Sequence, residues 1–224
     1  GLGTGAPGDL SRAAVEAIRG ADVFFLLEKR GRGTESLGAL RRRILESVRP
    51  EGGYRLVEAE SPERTVGPAT REGYADGIAR WRDARSTALV SMIDSHLAPG
   101  ETGAFLVLGD PCLYDGTIGT LQAMAAADPN LDFTVIPGIS SVQALAAAHR
   151  IMLNRVGESV TVTTARLLDQ MPPETVTNHV VMLDGRAAFM RLRDQPLEIY
   201  WGAYLGAPEQ ILMAGRLPDI ADAI

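Results

Sequence analysis

Apolar positions along the chain alternate between helical stripes and short unbroken runs. Leu10, Ala13, Ala14, Ala17 and Ile18 share one face at helical spacing and stop at Gly20. Val23 to Leu27 is an unbroken apolar run, opened by Asp22 and closed by Glu28, the pattern of a strand buried on both faces. A helix is expected over Ser36 to Val48, a strand over Tyr54 to Ala59, a two-proline loop over Ser61 to Thr70 and a long helix over Glu72 to His96. Ala104 to Leu108 repeats the buried-strand pattern and breaks sharply at Gly109-Asp110-Pro111. A helix over Thr117 to Ala127 and a strand over Asp132 to Ile136 follow, and Pro137-Gly138 reads as a hinge. Ser140 is placed to cap a helix over Ser141 to Ala148. Beyond it, strands are expected over 159–164, 179–183, 197–204 and 211–214, with a helix from Arg186 to Arg193. The alternation predicts an α/β chain of two domains, 1–137 and 138–224.

Three glycine-rich breaks punctuate this pattern: Gly3-Thr4-Gly5-Ala6-Pro7-Gly8-Asp9, Gly109-Asp110-Pro111 and Ile136-Pro137-Gly138-Ile139-Ser140-Ser141. Two of them follow apolar runs, where open α/β sheets bind ligands. They are expected to surround one pocket, with Asp110 presented at a strand end and Tyr114 and Asp115 following it in. Glu28 and Lys29 share a strand end and are candidate substrate contacts. Gly3-x-Gly5-x-x-Gly8, with Glu28 about 20 residues on, also fits a dinucleotide fingerprint, so a nicotinamide oxidoreductase is the alternative enzyme. A non-enzymatic ligand-binding carrier is a third reading.

The 224 residues carry a net charge of −6, which gives no basic footprint for nucleic acid. Lys29 is the only lysine among 22 basic residues, and guanidinium forks suit a ligand with several carboxylates. The run Arg41-Arg42-Arg43 reads as a solvated helix face. Cys112 is the only cysteine and the three histidines are scattered, so neither a disulfide nor a metal site is expected. No apolar run reaches the ~18 residues of a membrane span and no signal peptide is legible, which predicts a cytoplasmic protein. The chain opens inside a turn and stops inside a helix-like pattern at Ile224, so further residues are expected at both ends.

Taken together and in this order, the three breaks resemble the tetrapyrrole methylase family over nearly the whole chain. Gly109 to Asp115, His149 through Asn154-Arg155-Val156-Gly157, Val180 to Asp184 and Ile199 to Tyr204 resemble its corrin-pathway C-methyltransferases. The resemblance implies two α/β domains, each a mixed sheet flanked by helices, with the active site in the cleft between them, and a homodimer. It implies S-adenosyl-L-methionine as methyl donor, S-adenosyl-L-homocysteine as product and a tetrapyrrole as substrate. Cofactor contacts implied by matched positions are Pro7, Leu108, Gly109, Asp110, Leu113, Ser140, Ser141, Leu183, Asp184 and Gly215. Ala6 adds a residue before Pro7-Gly8-Asp9 relative to many family members, so the first turn is expected to differ in shape.

The chemistry agrees with that resemblance. A sulfonium methyl donor is already electrophilic, so the protein chiefly aligns it and excludes water. Shaped backbone loops suffice for this. Asp110, Tyr114 and Asp115 are the catalytic candidates, and Arg155 is the first candidate for a substrate carboxylate.

Overall fold

The strand β1 (Val23–Glu28) has side chains buried to both sides. A computed structural model describes residues 1–28, 35–63 and 71–224, so Lys29, the basic loop to Gly33 and most of the expected loop over 61–70 lie outside the described residues. Ahead of β1, Pro7–Asp9 forms a 3-10 turn and α1 (Arg12–Gly20) follows. Ser11 caps α1, its Oγ accepting the Ala14 N–H at 3.1 Å. After β1 come α2 (Glu35–Val48), β2 (Arg55–Glu60), α3 (Arg71–His96), β3 (Gly103–Phe105) and α4 (Thr117–Ala127). These agree with the apolar pattern to within a residue or two at most ends; β3 is shorter.

The sheet order is β2-β1-β3, parallel throughout, with Phe25 opposite both Val57 and Phe105. Strict alternation along β1 divides the apolar core. Phe24 and Leu26 pack with Ile18 of α1 and Ile44 and Leu45 of α2. Val23 and Phe25 pack on the other side with Leu89, Met92 and Ile93 of α3. Burying a side chain of this size contributes roughly 1.5–3 kcal/mol, so a charge introduced at Phe24 or Phe25 would unfold this layer.

Two expected strands are corrected. The run Ala104 to Leu108 leaves the ladder after Phe105, because the next carbonyls are taken by other donors. Arg41 Nε donates to Leu106 O at 2.9 Å, and Leu2 N donates to Val107 O at 2.8 Å. Asp132 to Ile136 forms no ladder among the described residues; its one tie of this kind is Gly1 N donating to Ile136 O. A strand exists only where a partner satisfies its backbone groups.

The chain divides into two compact units, Gly1–Ser140 and Ser141–Ile224. The second unit opens with α5 (Ser141–His149). It then carries β4 (Thr161–Thr164), α6 (Ala165–Leu168), β5 (His179–Met182), β6 (Glu198–Ala203), β7 (Ile211–Arg216) and α7 (Leu217–Ile220). β4 and β5 pair in parallel, and β6 and β7 pair antiparallel. Its core gathers Leu168, Val176, Phe189, Leu192 and Leu217.

The expected helix from Arg186 to Arg193 is a 3-10 segment, Ala188–Leu192, a second correction of type. Asp184 Oδ1 accepts the N–H groups of Arg186 at 3.2 Å and Ala188 at 2.9 Å, and Ala187 sits in the left-handed region at φ 53°. These start the segment late and leave room only for a short, tight turn. His149 is held structurally: Nε2 lies 2.9 Å from Trp201 O and the ring stands edge-on to Tyr200.

Candidate functional site

Residues 1–3 bring the first two glycine breaks together. Gly109 N–H donates to Gly3 O at 2.7 Å. Gly3 holds φ +66°, and a side chain there would strike Asp9. The first turn is closed internally, since Thr4 Oγ1 donates to the Asp9 carboxylate. Gly8 lies in the 3-10 turn and does not open a helix; α1 starts only after Ser11. The dinucleotide fingerprint requires its glycines to lead straight into a helix N-terminus, so that context is missing here.

Asp110 ties the second break to the third. Its Oδ1 accepts Cys112 N–H at 2.7 Å and its Oδ2 accepts Gly138 N–H at 3.0 Å. Burial pushes the carboxyl upward, but these donors, together with the Cys112 thiol, outweigh it and hold Asp110 below the ordinary carboxylate range. A carboxylate so engaged clamps two loops and is a weak base. The thiol of Cys112 is exposed and pushed up, first by its bond to Asp110, which leaves it unreactive.

Gly138 has to be glycine here, because a Cβ would overlap the Gly109 carbonyl oxygen. Gly109 itself holds φ +71°, and a Cβ there would meet no atom of the described residues within 4 Å. The space in front of Gly109 therefore suits a ligand that approaches the backbone closely. Around it Leu108 is half-buried, Leu113 N–H donates to Asp110 O at 3.1 Å, and Tyr114 is 48% exposed at φ 54°. A tyrosine in the left-handed region is strained, and strain of this kind gathers at ligand sites. Pro7 is exposed, and Ser140 is buried.

Asp115 takes a different role from Asp110. Its Oδ1 accepts Thr117 N–H at 2.7 Å at the start of α4, and the carboxyl lines a small cavity under the sheet edge. Glu28, at the end of β1, faces Arg41, with Oε1 and Nη1 3.8 Å apart. Arg41 is largely buried, against the expectation of a solvated face for the whole arginine run; Arg42 pairs outward, with Glu58. Burial lowers the Arg41 pKa and Glu28 and Asp115 oppose that shift. A buried arginine could have been suspected only from its position, one helical turn before Ile44 and Leu45.

In the second unit Leu183 is 71% exposed at φ 58°, a large apolar side chain held outward at the end of β5. The neighbouring Asp184 caps the following turn through its side chain. Ser141 begins α5, and Gly215 of β7 pairs with Ile199 of β6. Arg155 is exposed, on a loop whose carbonyl at 155 accepts from Asn154 Nδ2 and Glu158 N. Among the described residues, no cluster of histidine, cysteine and carboxylates could hold a metal, and no helix is long and apolar enough to cross a membrane.

Residues 1–221 match the family model of the tetrapyrrole (corrin/porphyrin) methylases. The whole chain is 40% identical to a deacetylating precorrin-6A synthase of Sinorhizobium sp, covering 85% of that protein. A crystal structure of a cobalamin-synthesis-related protein of Corynebacterium diphtheriae superposes on all of the chain and 86% of its own, with TM-score 0.80 and 32% identity. The uroporphyrin-III C-methyltransferase of Thermus thermophilus, solved with S-adenosylhomocysteine, shares the fold at TM-score 0.60 and 17% identity, covering 99% of the chain and 83% of its own.

Proposed function

The chain belongs to the tetrapyrrole methylases, and from that membership we propose that it is an S-adenosyl-L-methionine-dependent C-methyltransferase converting precorrin-5 to precorrin-6A with release of acetate. The observation that supports this most is the joining of the three glycine breaks. Gly3 O meets Gly109 N, and Asp110 meets Gly138 N, which leaves a strained backbone facing open space. Alignment of a sulfonium methyl with a nucleophilic ring carbon needs such a rigid backbone frame more than a strong base.

In this reading Leu108, Gly109 and Leu113 hold the methyl donor through backbone and apolar contacts, and Asp110 fixes the loop that presents them. Pro7, Ser140, Ser141, Leu183, Asp184 and Gly215 complete the cofactor contacts. The donor supplies an activated methyl group; the residues named here orient it and exclude water. Tyr114 is proposed to face the substrate, and Arg155 and Glu28 to bind its polar edge. Lys29 is proposed with them on sequence grounds. The active unit is proposed as a cytoplasmic homodimer.

The test is mass analysis after incubating the protein with S-adenosyl-L-methionine and precorrin-5. The reading requires S-adenosyl-L-homocysteine, acetate and a methylated product in equal amounts. Absence of both small products in folded protein would overturn it.

A further inference from the structure

Four charged side chains from four segments meet below the carboxyl end of β1. Glu28 comes from β1, Arg41 from α2, Arg85 from α3 and Asp115 from the turn before α4. A cavity of about 40 Å³ opens among them, lined by Arg41, Arg85 and Asp115 and by the apolar Leu27, Leu106 and Val107. At ~10–15 Å³ for each water, it has room for about three heavy atoms. Two polar atoms of these four side chains are buried without a hydrogen-bond partner among the described residues, Glu28 Oε1 and, in the cavity wall, Arg85 Nε. Such atoms are costly to leave unmade, and a bound group or waters must meet the arginine donor. Arg41 meets neither need: it has no acceptor for Arg85 Nε, its Nε is committed to Leu106 O, and its Nη1 stands 3.8 Å from Glu28 Oε1.

Building on the proposed deacetylating reaction, we propose that this cavity receives the acyl group that the substrate loses. The Arg85 guanidinium donates to the acyl oxygen, and Asp115 takes a proton from the attacking water. Size and chemistry suit an acyl carbonyl and, once Asp115 carries a proton, the acetate it becomes. Two arginines already balance two carboxylates, so a neutral ketone enters without adding charge. The carboxylate product arises only as Asp115 gains a proton, which keeps the pocket in balance.

The step balances as follows. The water oxygen bonds to the acyl carbon, and one water proton passes to Asp115. The bond between the acyl carbon and the ring carbon breaks, and its electron pair goes to the ring. That pair forms the new bond to the methyl group of the sulfonium donor, whose sulfur keeps the pair of the broken bond. The acid gives the second water hydrogen to solvent as a proton and becomes acetate, and Asp115 releases its own proton to solvent as acetate leaves.

The experiment uses the full chain and acetate as the probe, with chloride at equal ionic strength as control. Acetate should raise the melting temperature of the wild type and inhibit turnover of precorrin-5. Both effects should fall at least tenfold in potency in Arg85→Gln and in Val107→Leu, which fills the cavity without touching a charge. Arg85→Gln should also release acetate at least tenfold more slowly while S-adenosyl-L-homocysteine affinity by calorimetry stays within twofold. An acetate-insensitive wild type would mean a water-filled cavity and ends the proposal. So would a folded Arg85→Gln with unchanged acetate release. A protein that responds to acetate through Arg85 but converts no precorrin-5 would instead refute the assigned reaction and leave the acyl site standing.

Discussion

Asp110 and Gly138, 28 residues apart, are joined by a hydrogen bond of 3.0 Å from the Gly138 N–H to Oδ2. The other carboxylate oxygen holds the Cys112 N–H at 2.7 Å, so one side chain sets the shape of two loops. Replacing it by asparagine removes an acceptor and the charge. Asp110→Asn should cost about 1 kcal/mol of stability, read from urea unfolding at neutral pH.

The same bond predicts a pH dependence. The Asp110 pKa is lower in the folded chain than in the unfolded one, so its contribution is fully present above the ordinary carboxylate pKa of about 3.9. It is lost as the pH falls through the lower, folded value. Wild type should therefore lose stability toward acid more steeply than Asp110→Asn, measured by melts from neutral to acid pH. Parallel curves would refute the clamp.

Gly109 faces open space at φ +71°. Gly109→Ala should fold, with a strain cost of roughly 1–2 kcal/mol from the left-handed backbone. Its Cβ meets no atom of the described residues, so loss of S-adenosyl-L-homocysteine binding in calorimetry would locate the ligand there. Unchanged affinity would place the cofactor elsewhere.

Leu183 is exposed and strained, so its side chain adds little to the fold. Leu183→Ala should leave stability within about 0.5 kcal/mol. Cofactor affinity should drop about tenfold, equal to about 1.4 kcal/mol, if the side chain is buried by the ligand.

Arg155 is exposed on its loop. Arg155→Ala should raise the Michaelis constant for the tetrapyrrole and leave that for the methyl donor unchanged. Added salt should reproduce the effect in the wild type, because exposed charge pairs are screened. Equal Michaelis constants for both substrates would remove Arg155 from the site.

The buried run of β1, the apolar stripe of α1, the helices at Glu35–Val48 and Arg71–His96 and the three glycine breaks were all legible in the chain itself. Each is encoded locally, by apolar periodicity or by residues that only certain turns accept. Tertiary structure decided the rest. Leu106 to Leu108 left the sheet because Arg41 and Leu2 took two of its carbonyls, and Asp132 to Ile136 gained no ladder. Asp184 delayed the segment after it into a 3-10 turn. Arg41 turned inward, toward Glu28, while Arg42 beside it stayed out, and Arg41, Arg85 and Asp115 met around one cavity. Periodicity states which face of an element is apolar. Which distant charges then share a pocket depends on sheet order and helix packing, and neither is written at any single stretch of sequence.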